Sequence, residues 1–416
     1  MRIFSGRAYR SAAFILALVC CPLTHPVCPA QAPGGKGAKP QDFGSGLKRF
    51  RRNSRDTPQG TEKSEGAENG PDQPDDVIRL NTLLTTLDVT VTDSSGSRFI
   101  DGLTKDDFLV LEDGIAQQVD ALTLGDDARA MPRAIVLIVD WSGSLLPYLD
   151  ESIKAARALV DQLAPSDEMA IVTDDVKLVA GFTGDKKLLK SALDSLRDSA
   201  KKGWRGKSLQ FSALLATLKD LIDVETKRPI IIFQTDGDEA QRLQDPPQAA
   251  STAQGVYYMS DIYAEVQRSR VKIYTLIPGE SLIGVSQGEL LEKGRRLIQG
   301  YGEAYEKYYK VYEKREGKLQ VPDQVVYLVA GSRARGQEAA ARVAEIAGGW
   351  TSFFERPEQA AEVYGRILAD INHQYIISYY PTNKERDGRL RKVRVEVRGR
   401  PELIVRGRQS YYALPR

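Results

Sequence analysis

The sequence predicts an α/β protein in which a doubly wound, mostly parallel sheet is inserted into a small antiparallel β-sandwich formed by the flanking segments. Three observations carry that expectation. Residues 134–139 (AIVLIV) and 230–233 (IIIF) are continuous aliphatic runs without polar alternation, as in parallel strands buried on both faces. Between and around them, apolar residues recur at helical spacing, so strands are separated by helices. At both ends the period changes to two: Leu87, Val89 and Val91 alternate with Asp88, Thr90 and Thr92, and Val393, Val395 and Val397 alternate with Arg394, Glu396 and Arg398. That is a strand with one buried and one wet face.

The 416 residues suit two or three domains, and an apolar content of 42% is enough for a sizeable core. Lys and Arg number 58 against 56 Asp and Glu, a formal charge of +2, which argues against nucleic-acid binding through a basic field. Arg2, Arg7 and Arg10, a short apolar run over 12–21 and Ala30-Gln31-Ala32 read as a cleaved signal peptide over 1–32. The run is shorter than the roughly 20 residues of a membrane-spanning helix. Secretion to the periplasm or cell surface follows, with a lipid anchor on Cys20 or Cys21 as the alternative. All three cysteines precede that cleavage point, so a mature chain would have no disulfide and no thiolate site. Residues 33–76, rich in Gly, Pro, Ser and charge, read as a disordered linker. Its basic cluster of Lys48, Arg49, Arg51, Arg52 and Arg55 reads as solvated, with an anionic surface as the other option.

From 77 to 130 the chain reads as the first part of the β module, with turns at 93–96 and 113–114 and a helical cap from Thr104 to Asp107. Residues 131–372 form the α/β domain. Its elements in order are the strand 134–139, a helix through Leu149, Ile153, Ala156, Val160 and Leu163, and a strand over 169–173. Helices over 186–199 and 209–222 follow, then the strand 230–233, a helix near 256–268 and a strand over 271–276. About 281–324 is an insertion in which Leu291, Ile298, Tyr305 and Tyr312 repeat every seven residues, a Tyr-rich amphipathic helix weakened by Gly294, Gly300 and Gly302. It packs on its own domain or, as a helix over 286–316, supports self-association. The α/β pattern resumes at 338–347, 353–354 and 357–371, and 373–416 returns to β. Neither β segment has strands enough to stand alone, so 77–130 and 373–416 should pair into one sandwich.

Chemistry concentrates where two dry strands end. Asp140-Trp141-Ser142-Gly143-Ser144 follows the first, and Thr235-Asp236-Gly237-Asp238 follows the second. In an open α/β sheet, ligands bind beyond the carboxyl ends of the strands. Ser142, Ser144 and Ser208 add hydroxyls to the carboxylates of Asp140 and Asp236, a hard-oxygen set suited to Mg²⁺, with Mn²⁺ and Ca²⁺ as alternatives. Two carboxylates against a dication leave a neutral site, still electrophilic toward an outside Asp or Glu.

Asp-x-Ser-x-Ser after a hydrophobic strand, a later hydroxyl residue opening a helix and Asp-Gly after another strand resemble the metal-ion-dependent adhesion site of von Willebrand factor A-type (VWA) domains. Gly102 to Phe108 with Glu112-Asp113-Gly114, and Tyr379 to Asn383 with Gly399 to Tyr412, resemble the flanks of bacterial, acidobacterial-type secreted VWFA-related proteins. The resemblance covers about 80–416 except the insertion. It implies a VWA, Rossmann-like fold and a non-enzymatic, adhesion-type function. It also implies a divalent cation held by Asp140, Ser142, Ser144, Ser208 and Asp236, and a protein partner offering Asp or Glu. Ser208 stands where the family usually has Thr, and Lys207 where it often has Gly.

Blander readings stand beside these. Asp140 could cap the next helix. Trp141 and Trp204 read equally as an aromatic rim or as packing, with Lys207 and Asp238 as further rim candidates. Asp174, Asp175, Asp238 and Glu239 read as exposed loop acids, and 186–202 as a solvated helix face. Two other function classes compete: a scaffold with a vestigial metal site, and a Mg²⁺-dependent hydrolase. Against the hydrolase, the sequence after residue 32 has a lone histidine, His373, and no Gly-rich phosphate loop.

Overall fold

The computed structural model describes residues 43–44, 84–124, 132–203, 205–222, 227–237, 239, 257–309 and 321–414. The expected signal peptide and nearly all of the expected linker lie outside these residues. Within 33–76, Phe43 and Gly44 are described, and Phe43 packs against the α/β core, so this point of the expected tether touches the fold.

The α/β fold class is present. Six strands form the central sheet: β5 (Arg133–Val139), β6 (Glu168–Thr173), β7 (Lys177–Thr183), β8 (Arg228–Gln234), β9 (Lys272–Pro278) and β10 (Thr351–Phe354), in the order β10-β9-β8-β5-β6-β7. All pairs are parallel except β6 with the edge strand β7. That antiparallel edge is not marked by any dry run, because only one residue of β7 is buried. All seven residues of β5 and of β8 are buried. Ile135, Leu137 and Val139 feed one core, and Val136 and Ile138 feed the other, which is why the sequence shows no alternation there.

Helices α1 (Leu146–Asp161), α2 (Lys186–Lys201) and α7 (Ala360–Asn372) cover the first face. The second is covered by α3 (Gln210–Ala216, continued by a π turn over Thr217–Leu221), α4 (Met259–Arg268) and the C-terminal half of α6 (Asp323–Ile346). From β5 the chain steps outward to β6 and β7, then returns to β8 on the other side of β5. The strand order reverses there, so the carboxyl ends of β5 and β8 flank the crevice where a ligand belongs.

The flanks make two four-stranded sheets. One has the order β13-β1-β11-β4 and the other β14-β12-β2-β3. They are built from β1 (Thr85–Thr92), β2 (Phe108–Glu112), β3 (Ile115–Gln117) and β4 (Ala121–Leu124) on the N-terminal side. The C-terminal side gives β11 (Gln374–Tyr379), β12 (Leu390–Val397), β13 (Ile404–Arg406) and β14 (Ser410–Tyr412). β1 pairs antiparallel with β11, and β2 with β12, so each sheet joins the two ends of the chain. Val89, Val91, Phe108, Val110, Tyr375, Ile377 and Val393 close one shared core. The capping box of Thr104 and Asp107 forms, the Thr104 amide donating to Asp107 Oδ2 at 2.7 Å.

A buried polar joint fixes the sandwich to the sheet. Lys272 Nζ of β9 lies 3.1 Å from Asp370 Oδ2 of α7, and both side chains are almost wholly buried. Thr90 Oγ1 donates to that carboxylate at 3.2 Å and Tyr274 OH at 2.5 Å. Gln374 Nε2 donates to Tyr274 OH at 3.1 Å, extending the chain of contacts into β11.

Over the expected insertion, two long helices that pack on each other occupy the described residues, the second running past the limit expected for it. α5 (Gln287–Tyr309) runs unbroken through its glycines, and the 24-residue α6 contains both the end of the insertion and the resumed pattern at 338–346. Gly294 is a close-packing point, because a Cβ there would lie 2.7 Å from Val326 Cγ1 and 2.8 Å from Ala330 Cβ. Leu291 and Ile298 pack with Val326 and Val329 of α6, so this part of the seven-residue stripe is used inside the chain. Tyr312 and the side chain of Tyr305 lie outside the description. No helix among the described residues is long and apolar enough to cross a membrane.

Candidate metal centre

Asp140 leaves β5 fully buried, and its amide donates to Gln234 O of β8 at 3.2 Å. Asp140 Oδ1 accepts the Ser142 amide at 2.9 Å. This carboxylate therefore folds its own loop and does not cap α1, whose N-cap residue, Leu145, offers no side chain to the helix. Ser142 and Ser144 stand on either side of Gly143 and bring their hydroxyls within 3.1 Å of each other. Ser144 Oγ then donates to Asp236 Oδ2 at 2.5 Å. Four of the five expected oxygen-bearing residues thus meet at one edge of the sheet.

Ser208 does not join that chain of contacts. Its backbone adopts the left-handed region at φ 51°, unusual for a residue other than Gly, Asn or Asp, and its amide donates to Asp174 Oδ2 at 2.8 Å. Among the described residues no hydrogen bond links its hydroxyl to Asp140, Ser142, Ser144 or Asp236. Two residues on, Gln210 takes the central place. Its Nε2 donates to Asp140 Oδ2 at 2.5 Å and to Asp236 Oδ1 at 3.0 Å, while its Oε1 accepts from Thr235 Oγ1. Gln210 is wholly buried. Its signal in the sequence was a polar residue inside an otherwise apolar helix start.

Asp174 is the main correction to the sequence reading. It is buried, not exposed, as is Asp175. Asp174 accepts the amides of Trp141 at 3.2 Å and Ser208, and also that of Lys207, so it fastens the two candidate metal loops to each other. Gly206 is required beside it, since a Cβ would fall 1.8 Å from Asp174 Oδ1. Burial and the neighbouring Asp175 push the Asp174 carboxyl up to about 7, against the pull of the three amides. Glu239 likewise is no exposed acid. Its carboxylate accepts the amides of Phe211 at 2.9 Å and Ser212 at 3.1 Å at the start of α3, and burial pushes it up to about 7.

The expected rim divides. Trp141 is buried in the core under α1, which decides for packing. Lys207 is exposed. Trp204 and Asp238 lie outside the described residues. His373 is remote from the serines: it stacks on Phe99 at 4.7 Å and its Nδ1 lies 3.0 Å from Asp101.

One cationic partner comes from a segment the sequence reading left out of the site. Arg333 of α6 pairs with Asp236 Oδ2, and Nη1 also donates to Asp236 O at 3.1 Å. Burial raises Asp236, yet the Arg333 charge and donors from Arg333, Ser144 and Gln210 hold it below the ordinary carboxylate value. Among the described residues no Lys or Arg pairs with Asp140. Burial first, then the charges of Asp236 and Asp174, raise it well above the ordinary value.

Among the described residues no group of three or more His, Cys, Asp or Glu is placed to hold a metal ion. A centre here rests on two carboxylates and serine hydroxyls. That chemistry fits a small hard dication, and mutually repelling buried acids are what a dication relieves. Asp140, Ser142, Ser144 and Asp236 are the residues that fit.

No family model and no curated protein matches the chain. Several solved structures are similar to part of the chain. The conserved hypothetical protein BatB from Bacteroides thetaiotaomicron is 14% identical, with a TM-score of 0.32 over 58% of this chain and 98% of that one. The vWF domain of the type V pili tip protein Mfa5 from Porphyromonas gingivalis is 11% identical, with a TM-score of 0.31 over 58% of this chain and 95% of that one. The manganese-loaded TRAP protein of Plasmodium vivax is 14% identical, with a TM-score of 0.31 over 73% of this chain and 98% of that one. No residue role is taken from them. The chain's own strand order is that of a doubly wound α/β unit, with the Asp-x-Ser-x-Ser loop at the carboxyl end of β5.

Proposed function

We propose that the chain is a metal-dependent, adhesion-type binding protein, secreted or displayed at the cell surface, that engages an acidic group of a protein partner. The carrying observation is the meeting of Asp140, Ser142, Ser144 and Asp236 at the switch point between β5 and β8. When bound, a Mg²⁺ or Mn²⁺ ion would supply an open coordination position for a carboxylate. The chain's own residues do the rest. Asp174 holds the loops at 140–144 and 206–209 together through their amides, and Gln210 holds Asp140 and Asp236 at a fixed separation. Exposed Lys207 stands on the loop beside them, able to attract an anionic partner. The narrower kinship with acidobacterial-type secreted proteins belongs to the same proposal.

The scaffold reading and the binding reading differ in one result. Immobilised full chain should capture a partner from an envelope extract of the source organism in Mg²⁺. EDTA should release it, and Mg²⁺ should restore capture. Capture that survives EDTA unchanged would favour the vestigial site.

A further inference from the structure

We propose that Arg333 sets the cation affinity of this centre by standing on Asp236 as a rival positive charge; the inference rests on the metal reading above. Its geometry is built, not incidental. α6 turns Arg333, Gly336 and Gln337 toward the metal loop, positions i, i+3 and i+4 of one helix face. Gly336 lets the helix backbone touch the loop, since a Cβ there would lie 2.0 Å from Gly237 O. Gln337 ties down the neighbouring turn, accepting the Leu282 amide at 2.8 Å and donating to Glu280 O at 3.1 Å. The helix is thus seated where Arg333 must meet Asp236.

The guanidinium is also held from behind. Arg333 Cζ lies 5.5 Å from the ring centroid of Tyr301 on α5, and Nη2 donates to the Tyr301 hydroxyl. The Arg333 side chain is 6% exposed, so water screens it little. Without a divalent ion, Arg333 supplies one of the positive charges that two neighbouring buried carboxylates need. With such an ion, the same guanidinium becomes a close like charge in a poorly screened site. A like charge at this range opposes the charged form by about tenfold or more.

Mg²⁺ should be titrated by calorimetry into the full chain and into Arg333→Gln, Arg333→Lys and Tyr301→Phe, with thermal unfolding followed in EDTA. Arg333→Gln is expected to bind Mg²⁺ at least about tenfold tighter than wild type, to melt lower in EDTA and to recover with Mg²⁺. Arg333→Lys, which keeps the charge, should stay near wild-type affinity. Tyr301→Phe loosens the guanidinium without removing it and should tighten binding by less, which keeps the test open if Arg333→Gln fails to fold. Wild-type binding with equal or weaker affinity in both Arg333→Gln and Tyr301→Phe would overturn the proposal and leave the metal reading standing. Absence of binding in every protein would remove both.

Discussion

Asp370→Ala is expected to lower the unfolding free energy by roughly 3–5 kcal/mol, the usual cost of stripping one partner from a buried ion pair. Lys272 would be left 3% exposed with its Nζ facing Thr90 and a vacated carboxylate position. Tyr274 OH would lose its acceptor as well. The pH dependence follows from the same contacts. Burial raises the Asp370 carboxyl, but Lys272, Tyr274 and Thr90 bring it below its ordinary value of 3.8. A folded value below the unfolded one stabilises above the unfolded value and is lost as pH falls through the folded one. Asp370→Asn should therefore flatten the acid limb of the stability profile below about pH 4. Lys272→Met combined with Asp370→Leu should recover part of the loss, since no lone charge stays buried. Chemical denaturation of the single variant at neutral pH showing a loss under about 1 kcal/mol would remove this joint from the account.

Gly336→Ala should destabilise although alanine is the better helix former. The propensity gain is about 1 kcal/mol. Against it, the new Cβ would sit 2.0 Å from Gly237 O and 2.7 Å from its carbonyl carbon, backbone atoms that cannot swing aside. Overpacking typically costs roughly 1–3 kcal/mol and occasionally more, and a contact this short with fixed backbone belongs at the upper end, so strain wins. Gly331→Ala, one and a half turns earlier on the same helix, is the internal control. Its Cβ would meet only Arg335 Nη1 at 3.7 Å, and it should gain a few tenths to about 1 kcal/mol. Equal responses of the two variants in thermal melts would mean that α6 is not seated on the metal loop.

The dry runs at 134–139 and 230–233 made the sheet legible, because a strand buried on both faces has no wet positions to spare. The two acids that follow them could be placed at the crevice for the same reason. What the sequence concealed was the support around those acids. Gln210 and Arg333 reach Asp236 across 26 and 97 positions, and no local period encodes such a meeting. Asp174 looked like one of a run of loop acids, yet the glycine at 206 leaves space only for its carboxylate. Gly294 looked like a weakness in a helix and serves as the point where two helices touch. β7 stayed hidden because an edge strand with mixed burial and a bulge keeps no clean alternation. Ser208 was placed on the ion by its position in the motif, and what the sequence did not show is that its amide is held by Asp174.

The central claim is that Asp140 and its neighbours hold a divalent cation. Calorimetric titration of Mg²⁺ into the full chain and into Asp140→Ala, with circular dichroism to confirm that both are folded, addresses it most directly. The account predicts saturable one-site binding by the wild type and none by Asp140→Ala. Indistinguishable titrations, whether both bind or neither does, would contradict it.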